Sequence, residues 1–413
     1  MPGQNTLKKS PLNRRRFLEI TGLAGLGTLA SGSIARSADE SVTMPFANGT
    51  RALATFPQKR PLILLTTRPP QLETPFSVFN EGILTPNDAF FVRYHLSQVP
   101  TSIDPDQFNL EIKGLVNSPL KISLNDLKKN FEPVEIVAVN QCSGNGRGFF
   151  APRVAGGQMG NGAMGNARWK GIRLKDLLSK AGVAAGAKQV TFNGLDTPVA
   201  EKVPDFVKAL EIDHALDEDT LLAYEMNDAQ LPMLNGFPLR LVVPGHYGTY
   251  WVKHLNEITV VNDSAPGYWM DPAYRIPDNA CACVEPGGAA KKTRPIARYN
   301  VRSFVTSLSD GARVPFGKEL SVRGIAFDGG YGIAEVLFSE DDGKNWRQAQ
   351  LGKDFGKYSF REWTIPFTPR KAGTYQLCVK ASNRIGQSQP REPLWNPAGY
   401  MRNVIETVRV TAT

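Results

Sequence analysis

The run Val134-Glu135-Ile136-Val137-Ala138-Val139 has the length and β-branched composition of a mostly buried strand. It leads through Asn140-Gln141 into Cys142, and then into a glycine-rich stretch that extends from Gly144 to Gly165. Glycine at that density loses too much conformational entropy to continue the strand or start a helix, so the strand must end in a long irregular loop. The fold therefore has to bury one strand and hold a single thiol at its mouth. Free cysteines are most often simply buried. A loop of glycines with Arg147 five residues after the thiol does not build a core, however. The pattern predicts that Cys142 is presented to a bulky ligand, with glycines letting the backbone come close to it.

The remainder predicts an α+β chain of two domains. At 413 residues with 38 Gly and 30 Pro, it calls for many loops and short strands rather than a helical bundle. Residues 36–74 are Pro-rich with little periodicity and read as an extended N-terminal arm. From about Pro75 short strands alternate with short helices: Leu110–Val116 is strand-like, Ser123 caps a helix through Lys129, and Leu174–Lys180 is a helix stopped by Gly182. Val190–Phe192, Leu221–Tyr224 and Leu239–Val243 read as further strands, and no G-x-G-x-x-G opens a helix, which argues against a dinucleotide fold. Past a loop-like stretch at 265–295 come strand-sized segments at Asn300–Ser307, Glu319–Phe327, Ala334–Ser339, Arg347–Leu351, Glu362–Phe367, Thr374–Ser382 and Val404–Val410. Turn residues between them predict an immunoglobulin-like β-sandwich over 291–413, following a catalytic domain over 75–290.

The first 35 residues look like a twin-arginine export signal. Arg14-Arg15-Arg16-Phe17-Leu18 precedes an apolar run from Ile20 to Ala30, and Ser33-Ile34-Ala35 offers small residues for cleavage. Cleavage would leave about +5 of the chain's net charge of +9, suited to an anionic substrate or acidic partner. No later apolar run is long enough to span a membrane, and no basic stripe with interleaved aromatics points to nucleic acid. Of four cysteines, Cys378 reads as a structural thiol, while Cys281 and Cys283 are expected to be too close for an ordinary disulfide. The C-x-x-C-H pattern of covalent haem is lacking, so electrons from this chain must pass to another protein.

In Phe90-Phe91-Val92-Arg93-Tyr94-His95-Leu96, strand geometry would set Arg93 and His95 on one face, where they could converge on an anion. This block, the Cys142 loop and five later segments together resemble the sulfite oxidase family of molybdenum enzymes, with the bacterial periplasmic sulfite dehydrogenases nearest. The resemblance implies that Cys142 is the protein's ligand to molybdenum. It implies substrate and pterin contacts across Phe91, Val92, Arg93, Tyr94 and His95. Phe192-Asn193-Gly194-Leu195-Asp196 resembles a block that sets Asp196 at the pterin, and Asn235-Gly236-Phe237-Pro238-Leu239-Arg240 one whose arginine holds the cofactor's phosphate. Asn235 stands where vertebrate members have His. Tyr250-Trp251-Val252-Lys253 resembles a further pterin-contacting block, implying Trp251, Val252 and Lys253; Tyr268–Tyr274 resembles the segment ending in the active-site tyrosine. Trp395-Asn396-Pro397-Ala398-Gly399-Tyr400 has Ala398 where vertebrate members supply another substrate arginine, leaving Arg402 as a candidate substitute.

The same resemblance implies a sulfite-oxidase-type molybdopterin domain with Mo-molybdopterin and no haem, followed by an immunoglobulin-like dimerisation domain. The implied activity is oxidation of sulfite to sulfate by a periplasmic sulfite dehydrogenase that passes electrons singly to a c-type cytochrome. Arg93, His95 and Arg147 would hold the anion, His95 could change its charge near neutral pH, and Tyr274 would hydrogen-bond the substrate. The molecule would be a homodimer or pair with a cytochrome subunit. The alternatives are a sulfane dehydrogenase subunit, a sulfoxide reductase of the same fold, and a non-enzymatic exported binding protein.

Overall fold

The computed structural model describes residues 36–264 and 267–413. The expected export signal, with Arg14–Arg16 and its cleavage site, lies outside the described residues. Four short strands precede residue 75: β1 (Arg36–Thr43), β2 (Thr50–Ala54), β3 (Leu62–Thr66) and β4 (Gln71–Glu73). They pair in chain order, and β4 adds β5 (Val92–Arg93) antiparallel at its far edge. The arm is therefore most of a five-stranded sheet. Pro57, Pro61, Pro69 and Pro70 fall between its strands, where a missing N–H costs nothing, and they mask its periodicity in the sequence.

Next come β6 (Asn109–Gly114), β7 (Leu120–Ser123), helix α1 (Leu124–Asn130), β8 (Val134–Gln141), β9 (Met164–Arg173) and helix α2 (Leu174–Ala181). They are followed by β10 (Gln189–Gly194), β11 (Lys208–Glu211), helix α3 (Ile212–Ala215), β12 (Leu221–Met226), β13 (Ala229–Gln230), β14 (Arg240–Val242) and β15 (Leu255–Val261). One sheet has the order β11-β10-β15-β6-β7; another runs β13-β12-β9-β8, with β14 added to β12. The helix ends agree with the sequence reading. Ser123 Oγ accepts the Asp126 N–H at 3.0 Å, and Gly182, at φ +70°, turns its N–H back to the carbonyls of Leu178 and Ser179. Strand β8 delivers the cysteine as expected: its last four residues are buried, it pairs with β9 along its whole length, and Cys142 N–H continues the ladder to Ala163 O at 2.9 Å.

A hairpin of β16 (Arg275–Pro277) and β17 (Thr293–Pro295) leads into the C-terminal region. There β18 (Arg302–Val305), β19 (Ala312–Val314), β20 (Leu320–Phe327), β21 (Ile333–Ser339), β22 (Arg347–Gln348), β23 (Gln350–Leu351), β24 (Arg361–Phe367), β25 (Gly373–Asn383) and β26 (Glu406–Ala412) form two sheets, β18-β20-β24-β23 and β19-β26-β25-β21-β22. Every segment expected to be extended contains a strand. The Arg347–Leu351 segment is split, with β22 in one sheet and β23 in the other, and β19 was not foreseen. Val322, Trp363 and Phe367 of the first sheet share a core with Phe338, Leu377 and Val379 of the second.

Cys281 and Cys283 correct the sequence reading: they are joined, with Cα atoms 5.1 Å apart. Ala282 between them takes φ +51°, which folds the chain enough for the sulfurs to meet. The C-terminal region also braces the cysteine strand. Val139 N–H donates to Tyr358 O at 2.9 Å, and Tyr299 Oη donates to Val139 O at 3.0 Å. Among the described residues no helix is long and apolar enough to cross a membrane.

Candidate active site

Extended backbone around β5 sorts its side chains by alternation. Phe91, Arg93 and His95 line a cavity, whereas Val92 and Tyr94 point the other way into a small core with Leu62 and Leu72. The same cavity is lined by Cys142, Asn140 and Ser143 from the end of β8, by Asn235 and Arg240, by Trp251 and Lys253, and by Tyr274. Segments far apart in sequence are thus brought to one place. Val92, Tyr94, Asp196, Val252 and Arg147 do not form its wall. Tyr94 acts from behind: its hydroxyl donates to His254 Nε2 at 2.6 Å, because Nδ1–H of that ring is committed to Phe237 O at 2.6 Å. Val252 is a core residue whose carbonyl accepts the Leu241 N–H. Asp196 is buried near Lys253; desolvation pushes its carboxyl up, and the ammonium opposes that.

The glycine loop also serves a purpose that the sequence did not suggest. A Cβ at Gly144 would lie 2.8 Å from the Arg147 guanidinium, and one at Gly165 would lie 2.5 Å from the Phe90 ring. The glycines admit the chain's own side chains as much as any ligand. Arg147 is folded under this loop, with Nε donating to Ala398 O at 3.2 Å and its guanidinium 5.0 Å from the Tyr400 ring centre. Arg402, the candidate for a third substrate cation, does not line the cavity. It is paired with Glu406 at 2.6 Å and packs over Phe149. From β4, buried Glu73 accepts the loop's Gly160 and Gly162 N–H groups at 3.0 and 3.2 Å.

The electrostatics of the cavity call for an anion. Arg240 is buried against the Trp169 and Trp251 rings, and its Nη atoms donate to Asn235 O at 2.7 Å and Trp251 O at 3.3 Å. Among the described residues its Nε has no partner, nor do Asn140 Oδ1 and Thr249 Oγ1, all three in residues of the cavity wall. Lys253 donates to Arg93 O at 2.8 Å, and buried Lys59 donates to Asn235 Oδ1 at 2.5 Å and Phe90 O at 3.0 Å. Desolvation pulls the guanidinium of Arg240 down to about 9 and the ammonium groups of Lys253 and Lys59 down to about 7. Cations taken from water with mainly carbonyl partners cost several kcal/mol each. A bound phosphate-bearing group would relieve that cost and satisfy the orphaned Nε, so the residues present fit such a group. No cluster of three or more His, Cys, Asp or Glu is placed to hold a metal among the described residues. A metal beside Cys142 would need ligands from the bound group itself.

Opposite these cations the wall is aromatic. His95 Nε2 and the Tyr274 hydroxyl share a hydrogen bond, and the His95 ring stacks on Phe206 at 3.8 Å. Burial, together with Arg93, Lys253 and Lys208, holds His95 well below its ordinary value, so it stays neutral. That direction weighs against a proton exchange near neutral pH. Tyr274 stacks on Tyr400 at 5.5 Å with planes 3° apart. Lys208, on β11, was missed in the sequence: buried, it donates to Trp269 O at 2.5 Å and sits 4.8 and 4.9 Å from the rings of Tyr250 and Tyr274. Lys59, Phe206, Glu73 and Tyr400 were missed as well. Lys59, Phe206 and Glu73 lie outside any motif, Tyr400 ends the Trp395–Tyr400 block but was given no role there, and only the tertiary fold brings them to the site.

A family model for the oxidoreductase molybdopterin binding domain matches residues 95–269, and one for the Mo-co oxidoreductase dimerisation domain matches residues 293–413. Sulfite oxidase of Gallus gallus is 34% identical over 88% of this chain and 81% of its own. The chain belongs to the sulfite oxidase family. Sulfite oxidase of Arabidopsis thaliana is 29% identical over 87% of this chain and 96% of its own. The sulfane dehydrogenase SoxCD of Paracoccus pantotrophus shares the fold with a TM-score of 0.71 at 24% identity, covering 83% of this chain and 84% of that one. As a member of the sulfite oxidase family, the chain binds a molybdenum–molybdopterin cofactor, and the anion-hungry cavity at Cys142 is where such a group fits.

Proposed function

We propose that this chain is a sulfite dehydrogenase, oxidising sulfite to sulfate and passing the electrons singly to a c-type cytochrome. The observation that carries this reading is the convergence of Cys142, Arg93, His95 and Tyr274 with the cations Arg240 and Lys253 around one cavity. When bound, the molybdopterin cofactor supplies a metal that accepts two electrons as sulfite gains oxygen. Cys142 is the protein's ligand to that metal, a soft thiolate suited to molybdenum. Arg240, with its free Nε, holds the cofactor's phosphate end, and Lys253, Asn235 and Trp251 flank the pterin, with Asp196 behind Lys253.

On the substrate side, Arg93 faces the anion and stabilises charge on its oxygens. Neutral His95 and Tyr274, tied to each other, offer a fixed polar edge beside it, and Phe91 and Phe206 shield that edge from water. Arg147 acts from the second row: it carries positive charge toward the site and braces Tyr400, which stacks on Tyr274. Residues 291–413, with two sheets around one core, serve as an immunoglobulin-like dimerisation domain. Residues 75–290 form the catalytic domain, and the Arg14–Arg16 signal exports the folded protein to the periplasm. The test is sulfite-dependent reduction of purified protein's acceptors. Cytochrome c should be reduced far faster than oxygen. Equal rates would reject the acceptor, and turnover of thiosulfate-derived sulfane sulfur but not sulfite would reject the substrate.

A further inference from the structure

We propose that the Cys281–Cys283 disulfide is a second sulfite-reactive site, a reversible covalent one, on the same molecule that oxidises sulfite. The inference rests on sulfite being the substrate, which guarantees that the protein meets this nucleophile. The bond lies in the loop between β16 and β17. Cys281 is exposed, Cys283 is half-buried, and Ala282 between them is buried with φ +51°. A crosslink spanning one intervening residue removes little freedom from the unfolded chain, so it adds little stability. Holding a non-glycine residue in the left-handed region costs energy that opening the ring would release. Exposed disulfides of low intrinsic benefit are the labile ones.

The chemistry balances without any outside oxidant or reductant. The sulfur lone pair of sulfite attacks the exposed Sγ of Cys281, a new S–S bond forms to the SO3 group, and the Cys281–Cys283 bond breaks. The electron pair of the broken bond leaves on Cys283 as a thiolate. The product is S-sulfocysteine at position 281 beside a free thiolate at 283. Attack of that thiolate on Sγ of Cys281 breaks the bond to the SO3 group, reforms the Cys281–Cys283 bond and expels sulfite with its electron pair. Because the two residues are tethered, reclosure wins when sulfite is scarce and opening wins when it is abundant.

The loop is wired to the aromatic wall of the cavity. Next to Cys283, Val284 N–H donates to Trp395 O at 2.9 Å. Asn396 then clamps Tyr400 through side-chain bonds of 2.8 and 3.1 Å, and Tyr400 stacks on Tyr274. The ring therefore adjoins one anchor of the turn that also presents Ala398 O to Arg147.

The test uses the intact holoenzyme with excess sulfite and no electron acceptor, so that each molybdenum turns over at most once and sulfite persists. Free thiols are trapped with iodoacetamide, and the digest is read by mass spectrometry. The expected result is SO3 on Cys281 with alkylation on Cys283, rising with sulfite and reverting when sulfite is removed before trapping. Cys281→Ser should take up no SO3. A disulfide-linked peptide that stays intact in the folded protein and opens only after denaturation would overturn the proposal, as would SO3 found on Cys283 instead. Turnover with cytochrome c is scored on the same preparation. Normal turnover with an unmodified disulfide defeats the proposal alone. An adduct in protein that does not oxidise sulfite supports the reactive site and defeats the sulfite reading.

Discussion

Arg240→Met separates cofactor binding from folding. Arg240 carries its charge against two tryptophans, and burial pulls its pKa from its ordinary value down to about 9. By linkage, keeping that proton costs the empty protein roughly 4–5 kcal/mol as an upper figure. Met removes this cost and retains most of the apolar contact with Trp169 and Trp251, but it leaves the carbonyls of Asn235 and Trp251 without a donor, at about 1–3 kcal/mol each. These opposing effects nearly cancel, so the cofactor-free variant should unfold within about 2 kcal/mol of cofactor-free wild type. With cofactor, one charge-assisted contact worth about 1.5–3 kcal/mol is gone, roughly a 10- to 150-fold weaker hold. The assay is molybdenum and released pterin per chain beside thermal unfolding of loaded and empty protein. Full molybdenum content with an unchanged melting temperature of loaded Arg240→Met would refute the phosphate role.

Arg93→Met should raise the sulfite KM roughly 10- to 150-fold with molybdenum retained, whereas Arg147→Met, one row back, should raise it less; steady-state kinetics per molybdenum check the order. Lys208→Met deletes the ammonium over the Tyr274 ring and should raise KM roughly 2- to 30-fold, with pterin content unchanged. Glu73, buried against the glycine loop, has its carboxyl pushed up to about 7 by desolvation, above its unfolded 4.5. The folded state thus holds this proton longer than the unfolded state, and Glu73's share of stability falls as pH rises from about 4.5 to 7, by at most roughly 3 kcal/mol. Glu73→Gln should flatten that slope in melting curves taken between pH 5 and 8, although it loses one backbone hydrogen bond.

What could be read from the sequence was local chemistry, and what could not was convergence. Ser123 and Gly182 are legible because capping depends on neighbours a few residues away. Strand β8 and Cys142 are legible because an apolar run that ends in glycines leaves the chain little choice. Arg93 and His95 share a face because strand alternation demands it, even though the strand itself spans only Val92–Arg93. The arm strands were hidden because their partners, not their own pattern, make them strands. Lys208 and Lys59 look like surface cations in the sequence, and only the fold buries them. The resemblance and its place five residues after Cys142 pointed Arg147 at the substrate, and its contacts with Ala398 O and Tyr400 could not be read from the sequence. The Cys281–Cys283 bond was misjudged because spacing was weighed without the backbone turn at Ala282.

The central claim is that sulfite is oxidised at a molybdenum held by Cys142, the free cysteine in the wall of the cation-rich cavity. The most direct measurement is molybdenum content and sulfite-dependent cytochrome c reduction for wild type and Cys142→Ser side by side. Wild type should carry one molybdenum per chain and turn over; Cys142→Ser should keep pterin yet lose turnover, because the thiolate tunes the metal as well as holding it. Full sulfite oxidation by Cys142→Ser, or sulfite oxidation by wild-type protein free of molybdenum, would contradict the account.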